Sequence, residues 1–373
     1  MTGSGKISMK SDCRTFMRAL FCVAGFIAFI LMLQPSFAED PVNSGVPQAN
    51  STGGQVPGNW SGNVNDAEIW RQIRRGAQGT VSIPDKKAGT LVQSDGDGMR
   101  SIRNGYVTEY GLWVLAGMLG LLVLFYGLRG KIMVDAGLSG DTIERFNVLE
   151  RFVHWLTASS FIILALTGLN IMFGRYFLPA LIGKDGFATV TQLGKFAHNY
   201  VAFAFMVGLV LMFFMWVRDN LPSRIDMEWI VQAGGLFTKG KHPPSERFNA
   251  GQKLIFWAVV LGGISMTLTG LILIFPFALT PLGEIVGLAW NFGIGSMGEL
   301  TALQASQIAL LWHGIVGLGF IAIIIAHIYI GSVGMEGAIA AVGTGQVDLN
   351  WAKEHHNLWV EEQTGEKVHH PAE

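Results

Sequence analysis

His313 and His327 stand fourteen residues apart in one apolar run, SQIALLWHGIVGLGFIAIIIAHIYIG (306–331). On an α-helix that spacing is about 21 Å, close to four whole turns. Both imidazoles therefore leave the same side of one helix, towards opposite ends of a hydrocarbon layer about 30 Å thick. An imidazole in hydrocarbon is costly to keep without a partner. Two on one face, separated by most of a bilayer, fit axial ligation of two stacked haem groups. Two histidines satisfied by helix–helix hydrogen bonds are the other reading of this pair. The rest of the chain has to supply the partners that separate the two.

Composition narrows the field. Half of the 373 residues are hydrophobic and only 14% are charged, against about 25% in soluble domains. This is an integral membrane protein. A net charge of −1 excludes a basic nucleic-acid binder. Both cysteines, Cys13 and Cys22, precede residue 25, so none remains for an iron–sulfur cluster, a zinc site or a thiolate nucleophile. Redox chemistry must use other ligands, and there are nine histidines: His154, His198, His242, His313, His327, His355, His356, His369 and His370.

The elements that must position them follow in order. Residues 1–38 read as a signal peptide: Lys6, Lys10, Arg14 and Arg18, then apolar Ala19–Leu33, then Ser36-Phe37-Ala38. An uncleaved first helix is the alternative. Residues 39–109 are a polar external segment whose first part cannot bury enough apolar surface to fold alone. Ala67–Gly76 could form a short helix, and Gly79–Gln93 a loop with one hairpin. Five apolar segments of membrane length come next: Tyr110–Leu128, Phe152–Phe173, Phe196–Val217, Leu254–Phe275 and Ile308–Ile330. Residues 129–331 thus form a four-helix domain, preceded by an additional helix over 110–128 and followed by a polar tail over 332–373.

Positive charge orients the bundle. Arg129, Lys131, Arg145 and Arg151 follow the first helix. Arg218, Arg224, Lys239, Lys241, Arg247 and Lys253 separate the third from the fourth. The Pro276–Gln307 loop has no Lys or Arg. The first two groups mark the cytoplasmic side, so residues 39–109 lie outside and the tail inside. The histidines then sort by depth: His154 with His327 on the cytoplasmic side, His198 with His313 on the outer side. Four unrelated structural histidines on three helices have little reason to match in level.

A haem held by two neutral imidazoles has both axial positions filled, which suits electron transfer rather than oxygen binding. Each ring should donate its other N–H to a fixed acceptor. Glycines make room for a flat macrocycle. Gly168 shares a helical face with His154 at the level of the outer pair, and Gly194, Gly314 and Gly317 flank the outer ligands; ordinary close packing is the plainer reading of each. The second and fourth helices share a pattern, ILALTGLNIMF (163–173) and SMTLTGLILIF (265–275), from duplication or from chance. Before the fourth helix stands ERFNAGQK (246–253), where the amides of Asn249 and Gln252 could hold a quinone by its carbonyl oxygens, or Asn249 could cap the helix. Ile225–Phe237 reads as an interfacial helix with Trp229 at headgroup depth. His355–His356 and His369–His370 lie outside the membrane and are expected to be solvated or to contact a partner.

ERFVHW (150–155), GKFAH (194–198), RFNAGQK (247–253), WHGIVG (312–317), AHIYIG (326–331) and WAKEHH (351–356) together resemble the γ (cytochrome b) subunit of respiratory formate dehydrogenase, over about Glu144–Trp359. The resemblance implies an all-α membrane protein with a four-helix core binding two haem b groups. It places His198 and His313 on the outer haem, His154 and His327 on the inner, and Asn249 and Gln252 at the quinone site. It implies an iron–sulfur β subunit and a molybdenum- or tungsten-containing α subunit outside, quinone reduction at the cytoplasmic face of a bacterial inner membrane, and no residue catalytic for formate itself. It assigns no role to the N-terminal extension. The cytochrome b of another quinone-linked complex, of hydrogenase or thiosulfate reductase type, and a haem-free helical scaffold are the alternatives.

Overall fold

The structure, a computed structural model, describes residues 78–80, 90–238, 240–276 and 302–368. The stretches expected to form a signal peptide (1–38) and a short helix (Ala67–Gly76) lie outside the described residues. A short hairpin pairs β1 (Gln78–Thr80) with β2 (Thr90–Val92), with Gly79 opposite Leu91. It leads into α1 (Gln93–Ile102).

Among the described residues, five helices are long and apolar enough to cross a membrane. They contain α2 (Thr108–Arg129), α3 (Val148–Phe173), α4 (Leu178–Trp216), α6 (Ala250–Ile274) and α7 (Ala302–Tyr329). Four of them begin shortly before the corresponding apolar segment, because a helix continues past its apolar stretch into its polar ends; α4 starts much earlier because it is two helical pieces joined at Gly183, whose φ of 73° is non-helical. The first membrane-length helix starts at Gly98, inside the segment expected to be a polar extension. Between α4 and α6 lies the short α5 (Arg224–Val231). After α7 come α8 (Ala340–Gly343), β4 (Gln346–Asp348), α9 (Leu349–His355) and α10 (Asn357–Thr364).

The chain divides into two compact units. Described residues of the smaller are the hairpin, α1 with 103–107, the end of α6 and the start of α7. The larger holds 108–270 and 312–368, and with them every histidine that is described.

Within the larger unit, α3 and α6 start alike. Asn147 Oδ1 accepts the Glu150 N–H at 3.0 Å while Glu150 Oε2 accepts the Asn147 N–H at 3.0 Å. Asn249 Oδ1 accepts the Gln252 N–H at 2.9 Å while Gln252 Oε1 accepts the Asn249 N–H at 3.1 Å. These are reciprocal capping boxes, each satisfying two donors that a helix start leaves open. The preceding residues are ERF in both, at 144–146 and 246–248. The two arginines reach across to each other's backbone: Arg145 Nη2 donates to the Arg247 carbonyl at 2.6 Å, and Arg247 Nη2 to the Arg145 carbonyl at 3.1 Å. Phe146 and Phe248 pack with ring centroids 5.9 Å apart. The similarity of 163–173 to 265–275 is therefore part of a longer repeat, with both copies running the same way.

One carboxylate ties this end together. Buried Glu150 accepts the Trp216 indole N–H at 2.9 Å and Arg247 Nη2 at 2.6 Å; Arg247 Nη1 pairs with Asp219 at 2.8 Å. The start of α3, the end of α4 and the approach to α6 are fixed by that single side chain.

The tail closes the same end. β4 pairs antiparallel with β3 (Thr142–Glu144), Ile143 opposite Val347. Asp348 caps α9 through the Asn350 and Trp351 N–H groups. Trp351, Ala352, His356, Asn357, Trp359 and Val360 are buried. By contrast, only Gly111 of α2 is buried. Its missing side chain lets Leu318 of α7 pack against the backbone. At its other end Arg129 Nε donates to the Leu236 carbonyl at 2.8 Å and Phe125 meets Tyr329 edge-on.

Glu150→Ala would strand a buried indole N–H and remove the carboxylate facing Arg247. Breaking a buried ion pair costs about 3–5 kcal/mol, whereas Asp219→Asn, at a partly exposed partner, costs about 1 kcal/mol or less. Thermal unfolding in detergent should show a large loss for the first and little for the second.

Candidate functional site

The four membrane histidines come from three helices of one unit: His154 from α3, His198 from α4, His313 and His327 from α7. His154 lies two turns into α3, beside the capped, charged end. Thirteen residues on, about 20 Å by helical rise, Thr167 meets the ring of His198. His313 and His327 are separated by about 21 Å along α7. The two intervals agree, so the histidines form two levels. A described ring contact brings together one of the two pairs expected from the sequence. The rings of His198 and His313 face each other with centroids 6.2 Å apart and planes at 65°. His154 and His327 lie within electrostatic range of one another.

The first pair can be tested against a shared iron. With a metal–imidazole bond of about 2 Å and a ring centroid roughly 1.2 Å behind the nitrogen, two rings on one iron have centroids about 6.4 Å apart. The observed separation fits. The other ring nitrogens fit as well. His198 Nδ1 sits 2.8 Å from Thr167 Oγ1, and His313 Nδ1 sits 2.9 Å from Thr269 Oγ1. With Nδ1 occupied, Nε2 of each ring is left for a metal. Space is made by glycine: a Cβ on Gly168 would stand 3.3 Å from His198 Cε1, and one on Gly270 3.5 Å from His313 Cε1. Gly194 and Gly317 pack instead on Asn170 and Met266.

Between the two levels lie phenylalanines. Phe161 of α3 touches Phe320 of α7 at 4.8 Å and Phe205 of α4 at 6.2 Å. Phe320 is seven residues from each histidine of α7, so the ring layer fills the middle of the stack. Phe205 and Phe320 are buried.

Asn249 and Gln252 lie at the His154 end, where the two ERF segments meet. Their carbonyl oxygens form the capping box described above, so the capping reading of Asn249 is realised. The two NH2 groups take no part in that box and remain the groups able to donate to a carbonyl ligand. Gln252 Oε1 also lies 3.5 Å from Arg145 Nη2, and Trp229 packs over Gly251. The interfacial helix expected over Ile225–Phe237 is shorter, Arg224–Val231, and its tryptophan is turned onto Gly234 and Gly251.

The tail histidines depart from expectation. His356 is fully buried, its Nδ1 donating to the Glu246 carbonyl at 2.9 Å, and His355 packs edge-on to Trp351. The cause is Arg145. This buried guanidinium lies over the rings of Phe146, Phe248, Trp351 and Trp359 at 5.2–5.9 Å, so the tail supplies half of an aromatic box. Burial and then Arg247 pull its pKa down to about 9, which leaves it charged at neutral pH. Burial first, then neighbouring positive charge, holds His355 at about 4 and His356 well below 6.5. His369 and His370 lie outside the described residues.

Thr167, Thr269 and Gly270 were missed by a search for ligands. The signal was present in the repeated LTGL, but a threonine inside an apolar helix reads as a residue bonding its own backbone. Which ring it faces depends on the neighbouring helix.

Comparison with known proteins places the chain among membrane cytochromes b. The family model described as prokaryotic cytochrome b561 matches residues 145–345. The cytochrome b556(fdo) subunit of formate dehydrogenase from Escherichia coli K12 is 28% identical over 223 residues, covering 60% of this chain and 93% of the relative. The nitrate-inducible cytochrome b556(Fdn) subunit of the same strain is 26% identical over 222 residues, 59% and 91% of the two chains. The Haemophilus influenzae Rd formate dehydrogenase cytochrome b556 subunit is 23% identical over 235 residues, 62% and 88%.

The buried tail histidines give a pH dependence. Unfolded, they titrate near 6.5; folded, His355 titrates near 4. Between those values the unfolded chain binds more protons, so stability is full above about 6.5 and falls as pH drops towards about 4. Thermal unfolding followed from pH 7.5 to 4 should show this loss, and His355→Gln should flatten the profile over that window.

Proposed function

The chain belongs to the prokaryotic cytochrome b561 family, membrane proteins that hold haem b and transfer electrons, and from that premise we propose that it is the membrane-anchoring γ subunit of a formate dehydrogenase, carrying electrons from an outer iron–sulfur subunit to quinone at the cytoplasmic face. The observation that carries this reading is the arrangement of four histidines at two levels of one helical stack, with the His198–His313 rings spaced for a shared iron. The named relatives supply the substrate class.

His198 and His313 hold the outer of two haem b groups, and His154 and His327 the inner. Haem ligated on both faces supplies a one-electron Fe(III)/Fe(II) couple with no open coordination position. The residues of the chain do the rest. Apolar helices exclude water, Phe161, Phe205 and Phe320 keep the space between the levels dry, and the threonines hold the outer rings in one tautomer. At the inner end the NH2 groups of Asn249 and Gln252 donate to the carbonyl oxygens of a quinone. No residue of this chain touches formate; that chemistry belongs to a molybdenum- or tungsten-containing α subunit, reached through the iron–sulfur β subunit.

The excess of Lys and Arg at the ERF end makes that end cytoplasmic. The protein is then a multi-pass component of a bacterial inner membrane. Residues 1–38 act as signal peptide, 39–109 lie in the periplasm, 110–128 span the membrane as the added helix, 129–331 form the dihaem domain, and 332–373 remain in the cytoplasm. The family is broader than formate dehydrogenase. A cytochrome b serving another quinone-linked enzyme, of hydrogenase or thiosulfate reductase type, is the second reading, and the subunits that co-purify with the chain decide between them.

Haem analysis and a redox titration of the purified complex test the proposal. The expected result is two b-type haems per chain at two potentials. Either His313→Ala or His327→Ala should leave one. A wild-type chain with one haem would restrict the reading to a single pair, and none would return it to a scaffold. Gln252→Leu should lower quinone reduction several-fold with both haems retained, since loss of a cap partner costs only about 1 kcal/mol. Unchanged quinone kinetics would remove Gln252 from the site.

A further inference from the structure

Thr167 and Thr269 are related by the same offset that relates Asn147 to Asn249, and each is followed by a glycine, Gly168 or Gly270. Each threonine stands on a helix that carries no ligand at that level, and each faces the ligand of the next membrane helix in the chain: Thr167 on α3 faces His198 on α4, and Thr269 on α6 faces His313 on α7. We propose that Thr167 and Thr269 are positioning residues that lower the reduction potential of the haem held by His198 and His313. The inference rests on the reading of those two histidines as axial ligands.

A hydroxyl has one proton. That of Thr167 is directed to the Ile163 carbonyl of its own helix at 2.7 Å, and that of Thr269 to the Ser265 carbonyl at 2.8 Å. Each Oγ1 therefore turns a lone pair towards the imidazole and accepts from it. Nδ1 must carry the ring proton, and the lone pair must reside on Nε2. The threonine thus selects the tautomer that can ligate, with no charged group brought into the hydrocarbon. The following glycine lets the ring approach the helix closely enough to make the bond, since a side chain there would meet His198 Cε1 or His313 Cε1.

The electronic consequence has a definite sign. An imidazole that donates its second N–H becomes a more basic ligand. A more basic ligand stabilises Fe(III) relative to Fe(II), so the potential falls. Second-shell hydrogen bonding is one of the means by which a protein sets haem potential. Here it acts on both axial ligands of one haem. At the other level, His154 Nδ1 is buried with no hydrogen-bond partner among the described residues. The His198–His313 haem is therefore the lower of the two, and an electron arriving there moves downhill towards the His154–His327 haem.

The test is a redox titration, with low-temperature EPR of the ferric haems, on the complete complex carrying Thr167→Val, Thr269→Val, both together, and the two Thr→Ser variants. The potential belonging to the His198–His313 haem is assigned by its loss in His313→Ala. It should be the lower of the two in the wild type. It should rise in each Val variant and rise further in the double variant, with a changed EPR signal, while the other potential stays in place. The Ser variants should keep the wild-type value. A Val variant that loses this haem while its Ser counterpart retains it also supports the role, because the hydroxyl is then required for ligation. An unmoved potential in both Val variants overturns the proposal. So does a Ser variant that shifts as far as Val, or loss of the haem from Val and Ser variants alike. Absence of haem from this pair in the wild type would sink the ligand assignment itself, a result distinct from all of these.

Discussion

An imidazole surrounded by hydrocarbon has two nitrogens and no water to satisfy them. The arrangement at the His198–His313 level follows from that constraint. One nitrogen of each ring is given a partner, so that the other can face the interior of the stack. A carboxylate partner would bring a charge into the membrane at a cost of several kcal/mol. A threonine avoids this, because its own proton is absorbed by the helix carbonyl four residues earlier. Such a bond contributes only about 0.6–1.7 kcal/mol to a membrane protein. Its value lies less in stability than in fixing which nitrogen is free.

The charged end is organised on the opposite principle. There water and headgroups are close, and charge can be used structurally. Glu150, Arg247 and Asp219 join three helices, and Arg145 is enclosed by four aromatic rings. The tail contributes two of those rings and a strand that pairs with β3. A segment with the composition of a solvated tail is in this way part of the core. His355 and His356 are neutral packing groups, each with its pKa held well below that of an ordinary imidazole.

The sequence made the helices, the two histidine levels and the pairing between them legible, because hydrophobic length and the 1.5 Å rise act locally. It also displayed the repeated LTGL pattern, although nothing local told Thr167 and Thr269 apart from any backbone-bonded threonine. What it hid depends on partners far away in the chain. Ile143 meets Val347 across two hundred residues, and no periodicity announces a three-residue strand. Asn249 and Gln252 were visible as amides near a membrane surface, yet their carbonyls are spent on capping. The capping box S/T/N-x-x-E/Q is itself a local pattern, so that part was available in ERFNAGQK beside the ligand reading.

The repeat explains why one chain can keep two ends so different. An inverted duplication would exchange the ends and make them alike, whereas copies with the same orientation are related by an axis along the membrane normal. Both ERFN starts therefore fall at one end, and both Thr–Gly pairs fall towards the other. At the His198–His313 level each copy supplies one threonine and one glycine, at the same offset of 102 residues, while the two histidines, 115 residues apart, stand outside that register. At the other level the equivalence fails, since the position in α6 that matches His154 of α3 is Phe256, a buried core residue. The second ligand there, His327, comes from α7, which already holds His313. The shared pattern thus accounts for the matched Thr–Gly pairs at one level, while the other level depends on the fourteen-residue spacing within a single helix.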